Sequence, residues 1–281
     1  MTRMPRPTLL LLLALAFPAA AEELRPVPEA LRGTWFAGAC AAPEEMLVLT
    51  ARSAARLSAE DSRLDRFVAT READGWLIGT SRGAEAPRLM LRARDSMLET
   101  GEPEAKLRDD RLPGPTPLRR WQRCATPPLE WMLQHGEGIA VLGALERIEA
   151  ACGEGATMQG CAEALIAQAS VSGDGLLSAA ELARLGRGLT WMIAVREGAG
   201  TPEIALAVGA GSVAALGAAR LAVDSLDYDG DGRLSVRELM QDRSLPGPGG
   251  GEAAGRPLRL DGIREAVGFL RGLFEGLFAL R

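Results

Sequence analysis

The chain has 281 residues, 47% of them apolar and 25% charged, with 37 acidic side chains against 32 basic ones. That is enough apolar material for a buried core and enough length for two ordinary domains. A net charge of −5 with no basic excess excludes the electrostatic footprint of a DNA- or RNA-binding protein. Lysine occurs once, at Lys106, and asparagine never, a bias of genome composition that also accounts for the many arginines.

Residues 1–21 have the pattern of a secretory signal peptide. Arg3 and Arg6 precede an unbroken apolar stretch from Leu9 to Phe17, too short to span a bilayer, and Ala19-Ala20-Ala21 supplies the small-residue cleavage site. The expected mature protein is therefore exported, periplasmic or secreted, where disulfides persist. Four cysteines remain: Cys40, Cys124, Cys152 and Cys161. With no C-x-x-C and one histidine, zinc is a poor explanation for them. Three connectivities are open; Cys40–Cys124 with Cys152–Cys161 is favoured because each pair then lies within one segment of the chain.

Between residues 22 and 125, short apolar runs alternate with turn signals. Strands are predicted in GTWFAGAC, EMLVLT, RLDRFVAT, GWLIGTS, PRLMLRAR and PLRRWQRC, with Ala73-Asp74-Gly75 as a tight hairpin turn. Many short strands without helical periodicity between them imply a small antiparallel β-barrel or sandwich. Trp35, Trp76 and Trp121 are its expected core aromatics. The opening Gly33-Thr34-Trp35 resembles the first strand of small secreted lipocalin-like barrels, and this implies an architecture, not a ligand. The segment holds 17 acidic and 17 basic residues from Glu22 to Cys124.

After Pro127-Pro128 the texture changes. Ile139, Leu142, Leu145 and Ile148 recur at helical spacing, and Ala-rich segments follow, so residues 129–245 are expected to form an α domain. From Ala125 to Arg281 there are 20 acidic and 13 basic residues. Ile204 to Ala219 carries no charge, falls short of the roughly 20 apolar residues that span a bilayer, and stops at Arg220, so a buried helix is expected, not a transmembrane span. Residues 246–257, PGPGGGEAAGRP, read as a flexible linker. Beyond it, residues 258–281 form an amphipathic pattern with Ile263, Val267, Leu270, Phe274, Leu277 and Phe278 on one face. This last helix is expected to dock on the α domain, with a membrane-surface anchor as the rival; three acidic and three basic residues from Asp261 onward argue against the anchor.

The α domain contains the most specific signal in the sequence. Residues 227–238 read Asp-Tyr-Asp-Gly-Asp-Gly-Arg-Leu-Ser-Val-Arg-Glu. Four carboxylates within twelve residues repel one another unless a cation sits among them. The run resembles the EF-hand calcium loop at every diagnostic position. The resemblance implies calcium held by Asp227, Asp229, Asp231, the Arg233 carbonyl, Ser235 and a bidentate Glu238, with Gly232 making the sharp turn. EF-hands come in pairs, and residues 170–181, SVSGDGLLSAAE, align as a degenerate partner. There Ser170, Ser172, Asp174, Leu176 and Glu181 occupy the ligand positions, while Leu177 aligns with Leu234. This loop brings two carboxylates against four, so the second loop is expected to bind far more tightly, and the first to be structural or weakly binding. The loops start 57 residues apart, which implies longer or interrupted helices between them. The exit helix after residue 238 is short.

His135 is the only histidine, no G-x-S-x-G nucleophile turn is present, and the glycine-rich stretch lacks the Lys-Ser/Thr of a P-loop. His135 is expected at a surface or helix end, and catalysis is not expected. The sequence therefore predicts an α+β multidomain protein: a β-barrel or sandwich followed by an all-α EF-hand domain and a tethered helix. The expected function is an exported calcium-binding protein with Ca2+ as its ligand and the β domain as a binding module. The alternative is a secreted enzyme or enzyme inhibitor whose β domain acts while calcium only stabilises the fold.

Overall fold

A computed structural model describes residues 24–83 and 85–241. The signal-peptide segment, the 246–257 linker and the 258–281 amphipathic segment lie outside the described residues.

Eight strands close into an antiparallel barrel in simple sequence order: β1 (Gly33–Ala39), β2 (Ala42–Leu49), β3 (Ser53–Ser58), β4 (Ser62–Ala73), β5 (Trp76–Ser81), β6 (Arg88–Arg94), β7 (Met97–Gly101) and β8 (Leu118–Gln122). The last strand returns to the first, Phe36 facing Gln122, which selects a barrel over a sandwich. Asp74 and Gly75 both have positive φ in a two-residue hairpin between Ala73 and Trp76, as the turn chemistry demands. β3 and β7 are absent from the strands predicted by sequence. β3, Ser-Ala-Ala-Arg-Leu-Ser, lacks the β-branched and aromatic residues that mark a strand.

Side-chain alternation sorts the strands into two faces. Trp35, Leu47, Leu49, Phe67, Leu91, Leu98 and Trp121 pack together inside the barrel. Gly79 is required there: a Cβ would lie 2.5 Å from the Phe67 ring. Trp76 is a core aromatic as expected, buried with Ile78, Met90 and Leu112 in a separate cluster. The Cys40–Cys124 disulfide links the residue after β1 to the end of the barrel sequence, and Cys152–Cys161 forms the second bridge, which is the favoured pairing.

Among the described residues, Pro128 precedes the first of five α-helices: α1 (Leu129–Ala151), α2 (Met158–Ala169), α3 (Ala179–Arg196), α4 (Thr201–Leu226) and the short α5 (Val236–Met240). Two-residue strands β9 (Leu177–Ser178) and β10 (Arg233–Leu234) precede α3 and α5. Glycines let three helices approach closely. A Cβ at Gly138 would lie 2.2 Å from the Trp191 ring, one at Gly188 2.3 Å from Val141, and one at Gly186 2.7 Å from Ala215.

The helices pack directly on the barrel's outer face. Phe36, Met46, Val48, Ala55 and Leu57 share one core with Val141, Leu145, Trp191, Val195 and Ile204. Polar contacts stitch the same seam. The buried Glu146 accepts from Thr50 Oγ1 (2.7 Å), Ser53 Oγ (2.5 Å) and the Arg52 N–H (3.2 Å). Ser62 Oγ donates to the Ala199 carbonyl at 2.6 Å. His135 is fully buried in α1, not at a surface or helix end. Its Nδ1 accepts from Trp191 Nε1 at 3.1 Å, which leaves the proton on Nε2, 3.4 Å from Thr201 Oγ1. Burial holds its pKa down to about 4, so the ring is neutral.

α4 overturns the expectation of a buried helix over Ile204–Ala219. α3 covers one side through Ile204, Ala219 and Val223, while Leu206 (75% exposed), Val213 (78%) and Leu221 (68%) face outward. By length and composition α4 is the one helix among the described residues apolar enough to cross a membrane.

Candidate metal centre

α2 and α3 flank the 170–181 loop, and α4 and α5 flank the 227–238 loop. The connection between the loops is long because α3 and α4 are themselves long, with only residues 197–200 between them. The loops lie side by side: Leu177 pairs with Leu234 and Ser178 with Arg233 in an antiparallel ladder, both leucines buried. The alignment of Leu177 with Leu234 made from sequence is therefore a direct spatial pairing.

In the second loop, oxygens of Asp227, Asp229 and Asp231 all lie within 4.8 Å of one another, the one such group of three metal-ligating residues among the described residues. The loop backbone creates this convergence. Asp227 Oδ1 accepts from the N–H groups of Gly230 (2.7 Å) and Asp231 (3.1 Å), and Oδ2 from Gly232 (2.7 Å). Asp231 Oδ1 accepts from the Arg233 N–H at 2.8 Å. Gly230 and Gly232 both have φ of 79°, a left-handed conformation that costs glycine nothing and lets the chain wind this tightly.

Glu238 is not part of the converging group. It is 2% exposed and turned into the loop's own backbone. Oε1 accepts from the N–H groups of Tyr228 (2.9 Å) and Asp229 (3.3 Å), while Oε2 accepts from Ser235 N–H (2.8 Å) and Oγ (2.7 Å). Ser235 and Glu238 also form a reciprocal capping box that starts α5. The Ser235 N–H and hydroxyl, ahead of the other donors, hold the Glu238 carboxyl below the usual range, so it is ionised. A carboxylate has about four acceptor positions. All four are in use, so ligation by Glu238 requires that it give up part of this set.

The first loop differs in the direction its side chains point their chemistry. Ser172 Oγ donates to Glu181 at 3.1 Å, and Glu181 also accepts from the N–H groups of Val171 (2.7 Å), Ser172 (3.0 Å) and Ser178 (2.9 Å). Burial pushes the Glu181 pKa up, but these bonds, Ser178 foremost, outweigh it and bring it down to about 2. Asp174 accepts from the Leu176 N–H at 3.0 Å and lies 3.4 Å from Ser170 Oγ. Its second oxygen pairs with the guanidinium of Arg233, which reaches across from the other loop. The Leu176 N–H, more than Arg233, keeps the Asp174 pKa below its ordinary value. Replacing acceptors by serine hydroxyls thus gives a loop satisfied by its own donors and by a neighbour's cation. Sequence alignment assigns only the carbonyl of Arg233 to the site; the pairing of its exposed side chain with Asp174 comes from the structure.

A second charged cluster, on the barrel, neutralises itself: Arg56 and Arg63 both reach Glu102, at 3.2 and 2.8 Å, and Arg63 also holds Asp65. No protein-family model, curated protein or solved structure matches this chain.

Proposed function

We propose that the protein is an exported calcium-binding protein whose 227–238 loop holds one structural Ca2+. The observation that carries the reading is the convergence of Asp227, Asp229 and Asp231 in a tightly wound loop between two helices. These are oxygen-only, anionic donors, the chemistry a hard cation takes. Such a metal would be held by the three aspartates, with the Arg233 carbonyl, Ser235 and Glu238 completing the set. When bound, it supplies charge neutralisation and a cross-link between the end of α4 and the start of α5. The chain's own residues do the rest. The N–H groups that Asp227 accepts pre-form the turn, and the β9–β10 pairing seats it against a partner loop that needs no ion.

The two disulfides fit an oxidising compartment and so support export. The barrel's interior is occupied by its own aromatic and aliphatic side chains, which supports a scaffold or outer-surface role for it. The expected affinity is that of oxygen cages facing calcium-rich fluid, about 10⁻⁶ to 10⁻³ M. Calorimetric titration of the mature chain tests this, with one site expected. The Asp229→Asn/Asp231→Asn double variant should lose it. Identical titrations for both proteins would remove the metal from this loop.

A further inference from the structure

We propose that the outward face of α4 is the docking surface for the chain's own C-terminal segment, residues 258–281, laid antiparallel along it. This goes beyond the calcium reading and does not rest on it.

A surface helix of a soluble protein normally turns its polar residues outward. α4 does not. Between Glu203 and Arg220 it carries no charge, and the side opposite α3 presents Leu206, Ala210, Val213, Ala214, Gly217 and Leu221. All six are exposed, and nothing lies within 4 Å of a Cβ built at Gly217. A contiguous apolar strip of this kind marks a contact surface.

The same chain carries an apolar face of matching length. Residues 258–281 would span about 36 Å as a helix, and the 26 residues of α4 span about 39 Å. Ile263, Val267, Leu270, Phe274 and Phe278 recur on one side. Four glycines within the segment each cost about 1 kcal/mol of helix stability relative to alanine, so its helix depends on a surface to form against. Geometry sets the direction. Tyr228 and Asp229, just past the end of α4, bond to Glu238 at the start of α5, so the chain leaves Gln241 near the C-terminal end of α4. By composition, a Gly/Pro-rich tether as long as residues 242–257 would have a root-mean-square reach of roughly 20–24 Å. A segment starting there runs back toward Thr201.

Bulk and space complement each other in that direction. Opposing Ile263 to Leu221 sets Val267 against Gly217, Leu270 against Ala214, Phe274 against Ala210 and Phe278 against Leu206. Large side chains thus meet small ones at three successive turns. A tether of this length holds the segment at millimolar effective concentration, which favours it over a second copy or a free partner. Its balanced charge, three acidic and three basic residues from Asp261 onward, disfavours an anionic lipid surface.

Hydrogen-exchange mass spectrometry on the full mature chain, with calcium and with chelator, tests the assignment. Protection is expected across residues 263–278 in both conditions. Val213→Glu and, separately, Phe274→Glu should each raise exchange there on the order of tenfold while barrel peptides stay unchanged. Both sites lie outside the shared core, and the second variant leaves the described fold untouched. Ala214→Lys combined with Leu270→Glu should restore protection, which fixes the register. Free-chain exchange of 263–278 in the unmodified protein overturns the proposal, as does protection indifferent to both single variants. A dimer that Val213→Glu dissociates in sedimentation would make the occupant a second copy. Loss of binding to phosphatidylcholine–phosphatidylglycerol vesicles would make it a membrane. Either result overturns the assignment to the tail and leaves the calcium titration unaffected.

Discussion

Asp229→Asn should change stability in opposite directions with and without calcium. Without metal, the three aspartates lie within 4.8 Å of one another in a largely exposed loop. Each pair then repels by roughly 0.9 kcal/mol at the dielectric of water, so the two pairs involving Asp229 cost about 1.7 kcal/mol. Removing that charge also removes its 3.5 Å contact with Arg237, an exposed pair worth a few tenths of a kcal/mol at about the median for such bridges. The Asp231 N–H bond to Oδ1 survives in asparagine, whose carbonyl accepts equally well. The net gain in chelator is therefore about 1 kcal/mol, or roughly 2–4 °C in a protein of this size. In calcium at a hundredfold excess over Kd, the native loop gains about 2.7 kcal/mol that a non-binding variant forgoes. The variant then becomes the less stable protein by roughly 2 kcal/mol. Thermal unfolding of both proteins in chelator and in calcium reads the crossover. An equal shift under both conditions refutes the reasoning, since it leaves the carboxylate cluster with no cation to serve.

Glu238→Gln should behave differently, destabilising the protein even in chelator by about 1–3 kcal/mol, because an amide N–H₂ would face donors that now bond a carboxylate oxygen; denaturant titration in chelator separates it from Asp229→Asn. Neutral, buried His135 has a folded pKa near 4 against about 6.5 unfolded, so the unfolded chain takes up the proton first. Its contribution is complete above pH 6.5 and is lost as pH falls toward 4, about 3 kcal/mol in all, and a denaturation series across that window in His135→Gln should be correspondingly flatter. Gly188→Ala places a methyl 2.3 Å from Val141 and should cost about 1–3 kcal/mol by overpacking the α1–α3 contact, read as a lowered denaturation midpoint.

What the sequence made legible follows from how local each signal is. The barrel's aromatic strands and the Asp74-Gly75 hairpin rest on residues a few positions apart, and the structure places them as that reading expects, while Leu177 and Leu234 pair across the two acidic loops. β3 escaped because its alanines and serines carry no strand propensity; it is a strand because β2 and β4 flank it. α4 was misread for a different reason. Apolarity reports that a face needs covering, but it cannot say that α3 reaches only one side. His135 and Arg233 depend on partners 56 and 59 positions away, Trp191 and Asp174, and no pattern in the intervening residues encodes those meetings.

The seam between barrel and helices has a consequence for how the molecule comes apart. Severing the chain near Pro128 would bare Phe36, Met46 and Val48 to water and deprive the Thr50–Ser53 turn of the carboxylate that organises it. The β segment is thus a half that borrows its outer wall, and melting should proceed as one transition. Whatever tightens the distant 227–238 loop then protects every strand by simple mass action, without any movement being transmitted to them.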